Sequence, residues 1–257
     1  MAKIELTDTT RYAVEGRLVT LDAQSTVMAS GVLYIEGDTI VDVREFSDPA
    51  PAGFSKRTII KSGGTIYPGM IELHNHLSYN IIPTWMVPKQ FLDRDQWRRH
   101  KDYRKKMTGP LNVLGGIDGH LQAIVRFVEC RLLFSGVTSS QGITLASHQN
   151  IKKNYRGIVR NVEQTVDDDL PNARTKIADI KDALKLKKVL DTGKCYLLHL
   201  AEGVPQRANK HFKALQISPS EWAISDALAG IHAVGLLAED FEIMGSFGGS
   251  IVWSPMS

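Results

Sequence analysis

From Tyr67 onward the chain alternates short apolar runs with stretches of helical periodicity, and that alternation limits it to few architectures. The runs are IELHNHL (71–77), GVTSSQGI (136–143), RGIVRNVE (156–163), RTKIADI (174–180), CYLLHLAE (195–202), LAGIHAV (228–234) and SIVWSP (250–255). Seven candidate strands with helices between them read as βαβ units feeding a parallel sheet. The clearest helix is GHLQAIVRFVECRLLFSG (119–136), where Leu121, Ile124, Val125, Val128 and Leu132 recur at i, i+3, i+4, i+7 spacing. Gly136 stands where its C-terminal cap belongs. KDALKLKKVLDTG (181–193) is a second helix, ending at Gly193.

Residues 1–66 differ in character. RYAVEGRLVTLD, GVLYIEG and DTIVDV are short β-type runs, and Gly37-Asp38 between Ile35 and Ile40 signals a hairpin turn. Between the first and second parallel strands lies a long insertion, 79–118, containing Pro83, Pro88 and Pro110. Segments of that length serve as lids or binding walls. This one offers Tyr79, Trp85, Met86, Phe91 and Trp97 as wall residues. A complete eight-stranded α/β barrel takes about 250 residues. Only 191 remain after the β segment, and they stop just past the seventh strand.

Composition removes several function classes. With 43% hydrophobic residues and a net charge of +3, disorder is excluded as the dominant state. The longest apolar stretch, ALAGIHAVGLLA (227–238), falls short of the roughly 20 residues a membrane span needs. The N-terminus lacks a basic start followed by an apolar core, so a cytoplasmic protein is expected. Cys130 and Cys195 are too few for a disulfide framework or a cysteine-rich zinc site. The positive charge is local: RDQWRRHKDYRKK (94–106) carries seven Lys/Arg against Asp95 and Asp102. It reads as a solvated face, since a nucleic-acid protein spreads its cations over a larger surface.

The chemistry concentrates in histidines. His74 and His76 stand two apart at the end of the first strand, where alternation presents both imidazoles on one side, as two ligands of one metal require. His199 ends the apolar run YLLHL, Glu202 follows three residues later, and His232 lies in the corresponding place in LAGIHAVG. Barrel enzymes carry their reactive groups at such strand ends. His100, His120, His148 and His211 fall in loops or helical patterns and read as surface residues.

The pieces G-x-x-x-PGMIELHNHLS (64–78), SGVTSS (135–140), LLHLAEG (197–203), GIHAVGL (230–236) and VWSPMS (252–257) occur in this order. Together they resemble the amidohydrolase superfamily, and LLHLAE resembles its cytosine-deaminase and chlorohydrolase type. The resemblance implies an α/β fold: a TIM-like (β/α)8 barrel over 67–257, incomplete at about seven strands, preceded at 1–66 by the N-terminal part of a composite β-sandwich domain. It implies that His74, His76 and His199 bind one divalent ion, Zn²⁺ or Fe²⁺. Glu202 would shuttle the proton, and His232 would contact the metal water or the substrate. The implied reaction is attack of metal-activated water on a C–N bond, by deamination or cyclic amide hydrolysis, of a small and heterocyclic substrate.

Binuclear members bridge two metals with a carboxylated lysine on strand four. Lys176 stands mid-strand in the weak fourth run, and one metal is favoured. The family's strand-eight aspartate would follow SPMS, beyond the last residue, Ser257. The chain alone is therefore expected to be inactive or nearly so, as the N-terminal portion of a longer enzyme. An open barrel exposes a sheet edge, which predicts association with a second copy. The expected partners are thus a small-molecule substrate and a homo-oligomer mate, with neither nucleic acid nor membrane. Two alternatives stand beside this: a binuclear amidohydrolase, and a non-catalytic binding protein that keeps the fold.

Overall fold

The computed structural model describes residues 10–142, 154–155, 157–164 and 172–254, so His148 and the ends of several motifs fall outside it. The chain divides into two units, Met1–Gly69 and Met70–Ser257.

In the first unit, β1 (Arg11–Val19), β2 (Val27–Glu36), β3 (Thr39–Glu45) and β4 (Ile59–Ile66) make one sheet in the order β3-β2-β1-β4. Glu36 pairs with Thr39 across the two-residue turn, and Gly37 takes a left-handed φ of 61° there. That is the conformation a tight hairpin demands of its first turn residue. β4 runs parallel to β1, with Ala13 opposite Ile59. Sequence reading missed it because IIKSGGTI carries two glycines and keeps almost every side chain exposed, so no alternation shows. Ala13, Val32, Tyr34 and Phe54 form this unit's core, with the Tyr34 and Phe54 rings edge to face at 5.3 Å.

The second unit opens with β5 (Met70–Glu72), β6 (Val137–Ser140) and β7 (Arg160–Asn161), a parallel sheet in chain order. β8 (Arg174–Lys176) and β9 (Tyr196–Leu200) begin another. A hairpin of β10 (Gln216–Ser218) and β11 (Glu221–Trp222) intervenes, followed by β12 (Leu228–His232) and β13 (Ser250–Val252). The second parallel sheet runs β8-β9-β12-β13. Each of the seven apolar runs thus holds a parallel strand. In each case the described strand is shorter than its run.

The main helices among the described residues are α1 (Arg94–Arg99), α2 (Gly109–Gly116), α3 (His120–Phe134), α4 (Ala183–Leu190), α5 (Pro205–Lys213) and α6 (Ala238–Ser246). The apolar stripe of α3 is buried with Leu77 and Val159, and Gly136 ends the segment with φ 81°. Asp182 caps α4 by accepting from the Lys185 amide at 2.9 Å. The long insertion after β5 contains α1 and α2.

All five residues of β9 and all five of β12 are buried, because helices cover one face and the site covers the other. Leu198, Leu200 and Leu228 pack on Phe212, Trp222 and Met244, while Leu197, Ala229 and Ile231 face the opposite side. Among the described residues no helix is long and apolar enough to cross a membrane.

Candidate metal centre

His74 and His76 lie just past the end of β5 rather than within it, so pleat alternation is not what aligns them. A buried polar scaffold does. The Asn75 amide donates to Gln141 Oε1 at 2.8 Å, and Asn75 Nδ2 donates to Glu72 and Ser140 at 3.2 Å. Gly142 comes so close that a Cβ there would sit 2.3 Å from the Asn75 carbonyl oxygen, and its φ of 119° suits only glycine. Gln141 Nε2 donates to Glu163 at 3.1 Å, and the Gly142 amide donates to the same carboxylate at 2.9 Å. Sequence reading passed over Gln141 and Glu163. The available signal was position, since each follows the last residues of a parallel strand.

His199 is 2% exposed on β9, beside Leu197 and Ile231. Strand alternation would put His232 on the Leu228 face. Left-handed φ values at His232 (73°) and Ala233 (56°) break that alternation, and the His232 ring stands 4.5 Å from His74. Such backbone in non-glycine residues costs on the order of 1–3 kcal/mol and collects at working sites. The four rings form one cluster, with His74–His76, His74–His199 and His199–His232 centroids at 5.3, 5.0 and 5.3 Å.

One nitrogen from each of His74, His76 and His199 lies within 4.8 Å of the others, and no carboxylate joins this group among the described residues. The set fits a metal ion on three counts. His199 Nδ1 is 3.2 Å from the Lys176 carbonyl, which can only accept, so Nδ1 carries the proton and Nε2 presents a lone pair. That Nε2 is 3.5 Å from His76 Nε2, close to the roughly 3.3 Å between two ligands held tetrahedrally at 2.0–2.1 Å. Finally, His74 Nδ1 meets Ser254 Oγ at 2.6 Å while its Nε2 is buried with no hydrogen-bond partner among the described residues. A buried nitrogen of that kind is costly unless something binds it.

Burial drives the titration of the cluster. It lowers His74 to about 4, His199 to about 2 and His232 to about 3, with neighbouring imidazoles adding to the effect. His76 is lowered by the same burial, against the opposing pull of Glu163. At neutral pH all four rings are uncharged and their lone pairs free for coordination. Burial pushes Glu202 the other way, up to about 7, against Arg94 and a hydrogen bond from Trp97. Glu202 Oε2 is 3.5 Å from His232 Nε2.

The basic run needs correction. Arg98, Arg99, Lys101, Arg104, Lys105 and Lys106 are exposed as expected of a solvated face, but Arg94 is buried at 8% exposure. Its guanidinium binds Asp179 at 3.0 Å and lies 3.8 Å from Glu202. The backbone explains this: the Arg94 and Val204 amides donate to the carbonyls of Glu202 and Leu92, at 3.2 and 2.9 Å. Gly203, φ 151°, permits the approach, since a Cβ would lie 2.4 Å from the Leu92 oxygen. Two of the histidines read as surface residues are likewise engaged. His211 pairs with Asp179 at 2.8 Å, and His100 packs 5.5 Å from Phe91, whereas His120 is exposed.

The rings open into a cavity of about 440 Å³, lined also by Glu202, Tyr79, Arg94, Trp97 and Tyr103. Of the fourth run, RTKIADI, Ile177 just past β8 lines it and Lys176 does not.

No family model and no curated protein matches the sequence. Solved structures do match in fold. A triazine hydrolase from Arthrobacter aurescens superposes with a TM-score of 0.63 at 16% identity, over 95% of this chain and 65% of that one. A guanine deaminase from C. acetobutylicum, with guanine in its active site, gives 0.61 at 13% identity, over 96% and 68%. An adenosine deaminase from Xanthomonas campestris with bound zinc gives 0.54 at 12% identity, over 95% and 62%. The chain therefore has the fold of these hydrolytic enzymes and spans about 65% of the triazine hydrolase's length.

Proposed function

We propose that this chain carries the metal-binding and proton-transfer groups of a metal-dependent hydrolase of the amidohydrolase type. Its reaction would be deamination or cyclic amide hydrolysis at a C–N bond of a small heterocycle. The observation that carries this is the convergence of three neutral histidine nitrogens, one of them buried without a partner. On this reading 1–66 belongs to a β-sandwich domain, and 67–257 supplies seven strands of a (β/α)8 barrel in a cytoplasmic enzyme.

His74, His76 and His199 would hold one Zn²⁺ or Fe²⁺. A divalent ion held there would lower the pKa of a bound water from 15.7 to about 7 and so would supply a nucleophile at neutral pH. The protein's own contribution is orientation and proton handling. The Lys176 carbonyl fixes the tautomer of His199, and Ser254 holds the far nitrogen of His74. Glu202, with a pKa near 7, can both accept and release a proton at its Oε2. Arg94 and Trp97 keep that carboxyl turned toward His232, which stands where it can contact substrate. The place of Ile177 in the cavity wall supports one metal over two, since a bridging lysine would have to occupy that wall. The heterocycles named with the matching structures, triazine and guanine, support the substrate class.

Calorimetric titration of the metal-free protein with Zn²⁺ tests the proposal. One ion per chain is expected, with affinity falling at least about 100-fold in His199→Ala, more than the 10–100-fold typical of changing a residue that only holds a ligand in place. Glu202→Gln is expected to keep the stoichiometry. Absence of zinc binding, or affinity unchanged by His74→Ala, His76→Ala and His199→Ala, rejects the reading.

A further inference from the structure

A second cavity, of about 620 Å³, adjoins the histidine-lined one. The two share three wall residues, Trp97, Tyr103 and Glu202. Trp97 and Tyr103 stand nearly perpendicular with centroids 4.8 Å apart, a partition with Glu202 at its edge. The larger chamber is aromatic and aliphatic. Trp85 lies 5.8 Å from Phe91 and 5.6 Å from Tyr103, Val87, Val204, Pro205 and Val234 extend the apolar wall, and Lys89 and Gln90 also border the chamber. Of its charged lining groups Asp93 is already tied to Arg207 at 3.1 Å. A chamber of this size and lining has no use for a bare ammonia leaving group, and its apolar surface gains free energy only when an apolar group displaces its water.

We propose that the substrate is a heterocycle whose exocyclic nitrogen bears a bulky apolar group, with the ring in the histidine chamber and the substituent in the aromatic one. The proposal rests on the hydrolase reading, because Glu202 borders both chambers and so marks where the broken bond would lie. The step balances with water alone. The ring carbon gains a bond to the water oxygen, a proton of that water passes to Glu202, the bond from the carbon to the substituted nitrogen breaks, and Glu202 delivers one proton to the departing amine, ending in the state in which it began.

Three ring pairs test it by binding: melamine and N-benzylmelamine, adenine and N6-benzyladenine, cytosine and N4-benzylcytosine. Affinities for the intact chain are read by calorimetry, with quenching of Trp85 and Trp97 fluorescence as a second measure. Burying a phenyl group is expected to tighten binding about tenfold or more for at least one ring. Val204→Phe narrows the chamber, and Val87→Trp does so from a residue 61% exposed, where folding is not at risk. Either is expected to reduce the gain to less than about threefold. No gain on any ring, whether both members bind alike or neither binds, overturns the proposal, as does a gain that both variants leave intact. Zinc titration separates the two readings. Zinc binding without a benzyl gain overturns the chamber alone, and a benzyl gain without zinc binding keeps the chamber and rejects the hydrolase.

Discussion

Replacing His199 with asparagine is expected to remove about 2 kcal/mol of acid sensitivity from the metal-free chain. Folded His199 is 2% exposed, and burial together with its imidazole neighbours holds its pKa near 2, whereas the unfolded chain presents an ordinary histidine near 6.5. Below pH 6.5 the unfolded state therefore takes a proton that the folded state refuses. Stability falls as the pH drops from 6.5 toward the folded value. At pH 5, 1.5 units under the unfolded pKa at about 1.36 kcal/mol per unit, the loss is about 2 kcal/mol, and at pH 7.5 it is close to zero. Glu202 works in the opposite sense. Its pKa is raised to about 7, so the folded state binds its proton first and gains stability as the pH falls through 7 toward the ordinary glutamate value of 4.5. The raw pH curve sums these two with His74, His76 and His232, which burial also lowers, and the difference between wild type and variant isolates the part that depends on His199. Asparagine can still donate to the Lys176 carbonyl, so that contact is conserved. Urea unfolding followed by circular dichroism, with chelator present, at pH 7.5, 6.5, 5.5 and 5 gives the two curves. A difference that stays constant across that range, within about 0.5 kcal/mol, refutes the claim that His199 is buried neutral.

Arg94→Met leaves the buried Glu202 and the partly buried Asp179 without their shared cation. Losing one partner of a buried pair costs about 3–5 kcal/mol, and the His211 contact to Asp179 at 2.8 Å brings the expected loss to about 2–3 kcal/mol. It is expected to be larger at pH 8 than at pH 6, where Glu202 is protonated, and a pH-independent loss in urea unfolding would contradict the ion-pair account. Gly142→Ala puts a methyl against the Asn75 carbonyl and strains a φ of 119°, so the turn carrying His74 and His76 must shift. Zinc affinity is expected to drop about tenfold or more, as for other residues that hold ligands in place, and unchanged affinity in calorimetry removes Gly142 from the site's support.

The parallel strands and the histidines were legible in the residues themselves. Burial on both faces forces an unbroken apolar run, so CYLLHLAE and LAGIHAV announce strands, and a histidine ending such a run is out of place unless it has a task. Burial within α3 likewise follows from spacing alone. Arg94 was hidden because seven cations in thirteen residues give the local pattern of a solvated face, whereas Trp97 was legible as a wall residue of the long insertion and lines the cavity. What carries one of those cations inside is a backbone pairing between residues more than a hundred positions apart, made possible at Gly203 by the absence of a side chain. Glu163 and Gln141 were hidden for the same reason. Their worth lies in hydrogen bonds to Asn75 and Gly142, partners that only the packing of separate strands brings within reach. At His232 a left-handed backbone turns the ring against the strand's own alternation, and its neighbours in sequence carry no sign of it. Local periodicity records which face of an element is buried. The site depends on where several elements end relative to one another, and that is decided by long-range contacts between them.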